Sequence, residues 1–140
     1  MIKKFRRNRS GVAVTECAFV APIIFAFTLF TIEMCTIMFL KESVTIAAYE
    51  GARVGIQRNS TNEMVEFRIR EFLDQRNITF DESNFAQFST PGFTTAEKLE
   101  HVTTTVSVPA RANLPFGWFF GGDEIIATVV MRKEFTNPGN

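Results

Sequence analysis

Between Cys17 and Leu40 the chain reads CAFVAPIIFAFTLFTIEMCTIMFL, 24 residues with one charged side chain, Glu33. A helix rises about 1.5 Å per residue, so this run would extend about 36 Å against a bilayer hydrocarbon core of about 30 Å. A helix apolar on every side must be covered on every side, by lipid or by protein. The residues that follow are too few to wrap it completely. The segment is therefore expected to cross a membrane with some tilt, and it argues against a wholly soluble globular chain.

The flanks set the expected orientation. Lys3, Lys4, Arg6, Arg7 and Arg9 precede the span with no acid among the first ten residues, which by the positive-inside rule keeps the N-terminus cytoplasmic. The chain has 15 basic and 15 acidic residues in all, so everything after that tail is net acidic and leaves no basic face for nucleic acid. A cleavable secretory signal has an apolar region of only about 7 to 15 residues ending at a small-x-small site, and this run is longer. Thr15 and Glu16 ahead of Cys17 also differ from the small uncharged residues of a lipoprotein signal.

Both cysteines, Cys17 and Cys35, lie inside the span about 27 Å apart along a straight helix, out of reach of an internal disulfide. Five turns separate them, which puts them on one face. They can pack against lipid or a neighbouring helix, or link two chains of an oligomer.

Glu16 needs a reason of its own. A carboxylate in a membrane helix costs about 2.5 to 3.5 kcal/mol on insertion scales and calls for a partner. Alternatively, Glu16 lies close enough to the membrane surface and to the positive N-terminal end of the helix to be tolerated there.

A short basic leader ending in Gly11, followed by Val12-Ala13-Val14-Thr15-Glu16 opening a long apolar helix, resembles the processing site of type IV prepilins. Three further blocks are Glu16-Cys17-Ala18-Phe19-Val20-Ala21-Pro22, then Ile32-Glu33-Met34, then Ala47-Ala48-Tyr49-Glu50-Gly51-Ala52-Arg53. Together they look like the TadE-like pseudopilins of the tight-adherence (Flp) pilus system, with the specific likeness confined to residues 8 to 58. Cys17 stands where the pilin pattern commonly has an aromatic.

The resemblance implies cleavage by a prepilin peptidase between Gly11 and Val12, with Glu16 fifth in the mature chain. The new α-amine on Val12 would then neutralise Glu16 of a neighbouring subunit and set the axial register between helices. Removal of the five cations would free the subunit to leave the membrane. The implied partners are the peptidase, other pilins or pseudopilins and membrane lipid, in a homo- or hetero-oligomer. The implied location is the bacterial inner (cytoplasmic) membrane, with possible entry into an extracellular pilus.

Pro22 removes one helical hydrogen bond and frees the carbonyl of Ala18. It is either a flexible point for extraction and packing, or a proline whose backbone is satisfied by neighbours or by Thr side chains. Glu33 shares a block of the family pattern and is expected to make a polar contact between helices.

Past Leu40, Val44, Ala47, Ala48, Gly51, Ala52 and Gly55 continue a helical stripe of small residues with no proline until Pro91. Small side chains let helices approach closely, so the stripe is expected to dock on another helix or on the chain's own outer domain. Glu50 and Arg53 can pair along it, worth a few tenths of a kcal/mol, or simply be solvated.

Ser60-Thr61-Asn62-Glu63 reads as a capping box, and Val65, Ile69, Phe72 and Leu73 form the apolar face of a second helix ending near Asn77. Residues 77 to 80 read as a short strand, 85 to 93 are ambiguous around Pro91-Gly92, and 102 to 108 alternate as a strand that stops at Pro109. Ile125 to Glu134 is the strongest strand. Residues 113 to 122 are a long connection whose aromatics either fold back on the sheet or form a partner surface.

The expected organisation is α+β. A basic leader (1–11) precedes a transmembrane and assembly helix (12–40), its extracytoplasmic continuation (41–58), and a small domain (59–140) with a short helix and a mainly antiparallel sheet of three to four strands. Catalysis finds little support, and a membrane-anchored enzyme is a distant third reading. One histidine, His101, and no cysteine beyond the span offer neither a metal cluster nor a Cys/His pair, and no phosphate-binding loop is present. Asp81-Glu82 and Asp123-Glu124 read as solvated turn residues. The expected function is a structural subunit or assembly factor of a tight-adherence pilus, without cofactor. The competing reading is an unprocessed single-span protein whose outer domain binds a ligand or scaffolds an envelope complex.

Overall fold

The computed structural model describes residues 10–117 and 122–135. The basic leader through Arg9 and the aromatic run Trp118-Phe119-Phe120 lie outside the described residues. The elements are α1 (Ser10–Gly55), α2 (Asn62–Gln75), β1 (Ala86–Phe88), β2 (His101–Pro109), α3 (Ala110–Asn113) and β3 (Glu124–Arg132).

The apolar run and the small-residue stripe form one helix. α1 continues through Pro22 for 46 residues, a length of about 69 Å. Its two halves differ sharply in surroundings. From Gly11 to Ile32 every side chain is exposed except Leu29, which is half-buried, whereas Glu33, Leu40, Ser43, Val44, Ala47, Ala48, Gly51, Ala52 and Gly55 are buried. The small-residue stripe thus packs within the chain, against α2 and the sheet.

α2 begins at Thr61, whose side-chain oxygen accepts the backbone N–H of Met64 at 3.3 Å. The capping residue is therefore one position later than a Ser60 box predicts. Ser60 turns back instead and donates its hydroxyl to the carbonyl of Gly55. α2 then runs down beside α1, with Val65, Ile69 and Leu73 buried and Phe72 packed at the edge.

It ends in a Schellman turn: Ile78 N donates to Leu73 O at 3.0 Å, Asn77 N donates to Asp74 O at 3.0 Å, and Asn77 takes a left-handed φ of 52°. This turn replaces the strand expected over residues 77 to 80. Thr79 also finds a side chain instead of a neighbouring strand: its N–H goes to Asn113 Oδ1 at 2.7 Å, and its carbonyl accepts from Asn113 Nδ2 at 2.8 Å.

The sheet has three antiparallel strands in the order β1-β2-β3. Phe88 opposes Thr104 across one pair, and Val106 opposes Ala127 across the other. The period-two pattern of β2 holds throughout: Val102, Thr104, Val106 and Val108 face the core beside Ile125, Ala127, Val129 and Met131 of β3. The ambiguous stretch contributes only the short β1. β3 starts at Glu124 and stops at Arg132, two residues short of the expected end, and its outer face exposes Ile126 and Val130. The one-turn α3 directly after β2 was not anticipated.

Two glycines make the helix-to-domain approach possible. A Cβ on Gly51 would sit 2.4 Å from Ile69 Cγ1, and one on Gly55 would sit 2.5 Å from the buried Phe93 ring. These are positions where any side chain would collide with the core.

Candidate functional site

The candidate site is the exposed half of α1 and the point where the domain closes over it. Gly11 lies at the open end of the helix with nothing within 4 Å of where a Cβ would be. Val12 beside it is 59% exposed, and Glu16 and Cys17 are exposed one turn on. No other described element covers this end, so the Gly11–Val12 bond and the Glu16 carboxylate are open to another molecule.

The polar atoms of the exposed half are largely satisfied by the helix itself. Thr28 donates its hydroxyl to Ile24 O at 2.9 Å, Thr31 to Phe27 O at 2.8 Å, and Thr36 to Ile32 O at 2.9 Å. Thr15 bonds to the carbonyls of Val12 and Gly11. The surface that remains is aliphatic and aromatic: Phe19, Ile23, Ile24, Phe25 and Phe27 are all more than 60% exposed. None of these hydroxyls reaches the Ala18 carbonyl freed by Pro22. Cys17 and Cys35 are both exposed free thiols on the same helix.

Glu33 marks the boundary. It is completely buried, and Oε2 accepts the backbone N–H of Phe116 at 3.0 Å. Its partner within the chain is therefore a loop, not a helix. Oε1 is buried without a hydrogen-bond partner, which is costly for a charged group. The loop leading to Phe116 leaves α3 through the half-exposed Asn113 and the buried Leu114, so residues 114 to 116 do fold back onto α1. Sequence reasoning singled out Glu33 but had no means of naming the N–H opposite it, because 83 residues separate the two.

The third motif block belongs to the packed half. Gly51 lies under Ile69, and Glu50 forms ion pairs with Arg53 at 3.9 Å and with Arg68 of α2 at 3.7 Å. Arg68 also bridges to Glu71 at 2.7 Å.

Elsewhere, carboxylates serve local structure. Asp81 accepts both the hydroxyl and the backbone N–H of Ser83, and these bonds hold its pKa below the ordinary carboxylate value. Asp123 pairs with Arg111 at 3.3 Å. Lys133 is fully buried and donates to the carbonyl of Phe93, and desolvation lowers its pKa from the usual lysine value. Among the described residues no group of three or more His, Cys, Asp or Glu side chains is placed to hold a metal.

α1 is the one helix among the described residues long and apolar enough to cross a membrane, and only 11% of its most apolar window is buried by the rest of the chain. A core helix of a soluble domain would be mostly covered. Residues 11–53 match the family model described as TadE-like protein. Over that segment the chain is similar to that family. No curated protein and no solved structure matches the chain. The TadE-like match runs from the Gly11 end of α1 to Arg53, and so takes in both the exposed half and most of the stripe that holds the outer domain.

Proposed function

We propose that this protein is a TadE-like minor pilin or pseudopilin, a structural subunit or assembly factor of a tight-adherence pilus, processed after Gly11 by a prepilin peptidase. The observation that carries this reading is that the family match takes in the whole uncovered half of α1. The match begins at the glycine where the leader ends, and that residue is unobstructed.

The exposed half of α1 acts as membrane anchor before assembly and as packing surface after it. In the bilayer its aliphatic and aromatic side chains meet lipid, and in an assembly they meet the same face of neighbouring helices. Glu16 is the register-setting group: the α-amine created on Val12 of one subunit meets the Glu16 carboxylate of another and neutralises it within an apolar layer. Loss of the basic leader removes the cytoplasmic anchor. The N-terminus faces the cytoplasm of the bacterial inner membrane, and the domain beyond residue 59 lies outside. The role is structural rather than enzymatic.

The test is N-terminal mass analysis of protein recovered from membranes of cells with and without the prepilin peptidase, alongside Gly11→Leu. The reading expects a mature chain beginning at Val12, lost in the variant and in the peptidase-free cells. An intact N-terminus in peptidase-positive cells would sink it and favour a permanently anchored envelope protein.

A further inference from the structure

The sheet ends in two open edges that match each other. Ser107 N donates to Phe85 O at 2.9 Å and Ser89 N to Thr103 O at 3.0 Å, so the odd-numbered residues of β2 turn their peptide groups toward β1. Val106 then turns toward Ala127 of β3. Alternation therefore points the N–H and C=O of Ile126, Thr128 and Val130 away from β2 at one edge, and those of Ala86 and Phe88 away from it at the other. The Lys41 ammonium reaches the first edge and donates to the Ile126 carbonyl. The outward peptide groups of Thr128 and Val130 have no partner among the described residues. An open edge of this kind is a template for another strand. α2 packs on α1 and barely touches β1, which leaves the second edge accessible.

Direction selects the partner. β1 and β3 both run antiparallel to β2 and are therefore parallel to each other. A second copy held in the same membrane points the same way, so its β1 can lie parallel to β3. Two β3 edges cannot pair antiparallel in one membrane. β3 runs alongside α1, from Ile126 at Lys41 to Lys133 at Phe93 and Gly55, so that pairing would turn one α1 over.

Register, faces and charge agree with a β3-to-β1 contact. Gln87 opposes Thr105 and Thr105 opposes Thr128, so a copy at equal depth brings its Gln87 opposite Thr128. The free groups of its Ala86 and Phe88 then bracket Thr128. A parallel ladder needs that pattern: Thr128 N–H donates to the Ala86 carbonyl, and Phe88 N–H donates to the Thr128 carbonyl. Gln87 and Thr128 are both exposed on the outer face, whereas Ala86, Phe88, Ala127 and Val129 all lie on the core side. Lys41 keeps two N–H donors after bonding Ile126. At the same level on the opposite edge, Asn84 O accepts the hydroxyl of Ser107, the register partner of Ile126, and the exposed Asp81-Glu82 pair comes just before it. Glu82 has no partner among the described residues.

We propose that copies of this chain associate head to tail through their sheets, β3 of one on β1 of the next, with Lys41 facing Glu82 of the neighbour. A contact of this heterologous type leaves a free edge at each end and so extends from copy to copy. The inference rests on the reading of α1 as a membrane helix, which gives all copies one direction, and not on processing after Gly11.

The experiment is oxidative cross-linking of the full, uncleaved chain in bilayers, with Cys17→Ser and Cys35→Ser as background and Gln87→Cys plus Thr128→Cys as the probe pair. Within one chain the probes lie two strand spacings apart, about 10 Å, beyond disulfide reach, whereas between the proposed neighbours they are adjacent. The expected result is a ladder of dimers and higher multimers, at least fivefold stronger than from either single-cysteine variant. Glu82→Lys should weaken the ladder at least threefold, and adding Lys41→Glu should restore it, with matching protease resistance of the outer domain. Absence of a ladder while both thiols react with a maleimide would overturn the proposal. So would equal cross-linking from Thr128→Cys alone, which would mark a contact between two β3 edges, or a charge swap that restores nothing. Because the chain is uncleaved, a missing ladder refutes this interface and leaves the pilin reading intact.

Discussion

Residues 12–32 and residues 33–55 belong to one unbroken helix but follow opposite rules. The first half carries large apolar side chains that, Leu29 apart, the other described residues leave exposed, and the second carries on its inward face alanines, glycines and Val44 that are buried. The second half keeps large exposed side chains such as Met38, Phe39 and Tyr49 on its outer side, so the difference lies in the small residues of its inward stripe. Large residues suit a surface that is to be covered by lipid or by other subunits, while small ones let α2 and the sheet come close enough to share a core. Glu33 stands at the change, buried and bonded to the loop that closes over the helix. A helix of this kind couples an anchor to a domain without a hinge between them.

The largest expected effect comes from filling the close approach. Gly55→Leu would drive a side chain into the Phe93 ring and Gly51→Leu into Ile69. Overpacking costs about 1 to 3 kcal/mol or more, enough to unfold a domain with so thin a core. Both variants should lose protease resistance of the outer domain in detergent, while Gly11→Ala, which meets nothing, keeps it. If Gly55→Leu melts like the parent, the packed half is not as described.

Next is the contrast in core truncation. Ile69→Ala or Leu73→Ala should destabilise the domain by about 2 to 5 kcal/mol. Phe25→Ala should leave the same thermal transition unmoved, because that ring contributes nothing to the domain core. Comparable losses from both halves would erase the distinction.

The boundary residue should give an intermediate effect. Glu33→Ala leaves the Phe116 N–H without its acceptor, a loss of about 1 to 3 kcal/mol, and should speed hydrogen exchange at that amide. Glu33→Gln keeps an acceptor and should protect it largely as before. Unchanged exchange in both variants would mean that the loop is held by something else.

These contrasts also show what was legible in the sequence. The membrane-length helix, its continuation past Leu40 and the alternation of β2 could be read directly, since each depends on periodicity within one segment. The apolar face of α2 was legible for the same reason. What escaped depended on neighbours distant in sequence. The cap moved from Ser60 to Thr61 because Ser60 is drawn to the end of α1. Residues 77 to 80 failed to form a strand because Asn77 turns left-handed and Asn113 satisfies Thr79, although asparagine just past a helix is itself a stop signal. In the candidate site, Gly11, Glu16 and Glu33 were visible as motif positions, but the burial of Glu33 against Phe116 was not.

A smaller effect is expected from pH. Burial disfavours the charged form of Lys133, so its pKa is lower in the folded chain than in the unfolded one. Its contribution to stability is therefore full above the ordinary lysine value and is lost as pH falls through the lowered folded value. Melts of the parent chain should show this slope in the alkaline range, and Lys133→Met should flatten it. A slope of the opposite sign would contradict the desolvation argument. The smallest effect belongs to Arg53→Ala: at 3.9 Å and with the arginine mostly exposed, its pair with Glu50 should contribute less than about 1 kcal/mol.

The division of α1 is tested most directly by thiol labelling in a background with Cys17→Ser and Cys35→Ser, using a membrane-impermeant maleimide on right-side-out membrane vesicles. Single cysteines are placed at Ile24, in the uncovered half, and at Tyr49, on the exposed side of the packed half. The account predicts rapid labelling of Tyr49→Cys and none of Ile24→Cys until the membrane is dissolved. Equal labelling of the two positions in intact vesicles would contradict it, because residues 12–32 would then be in water.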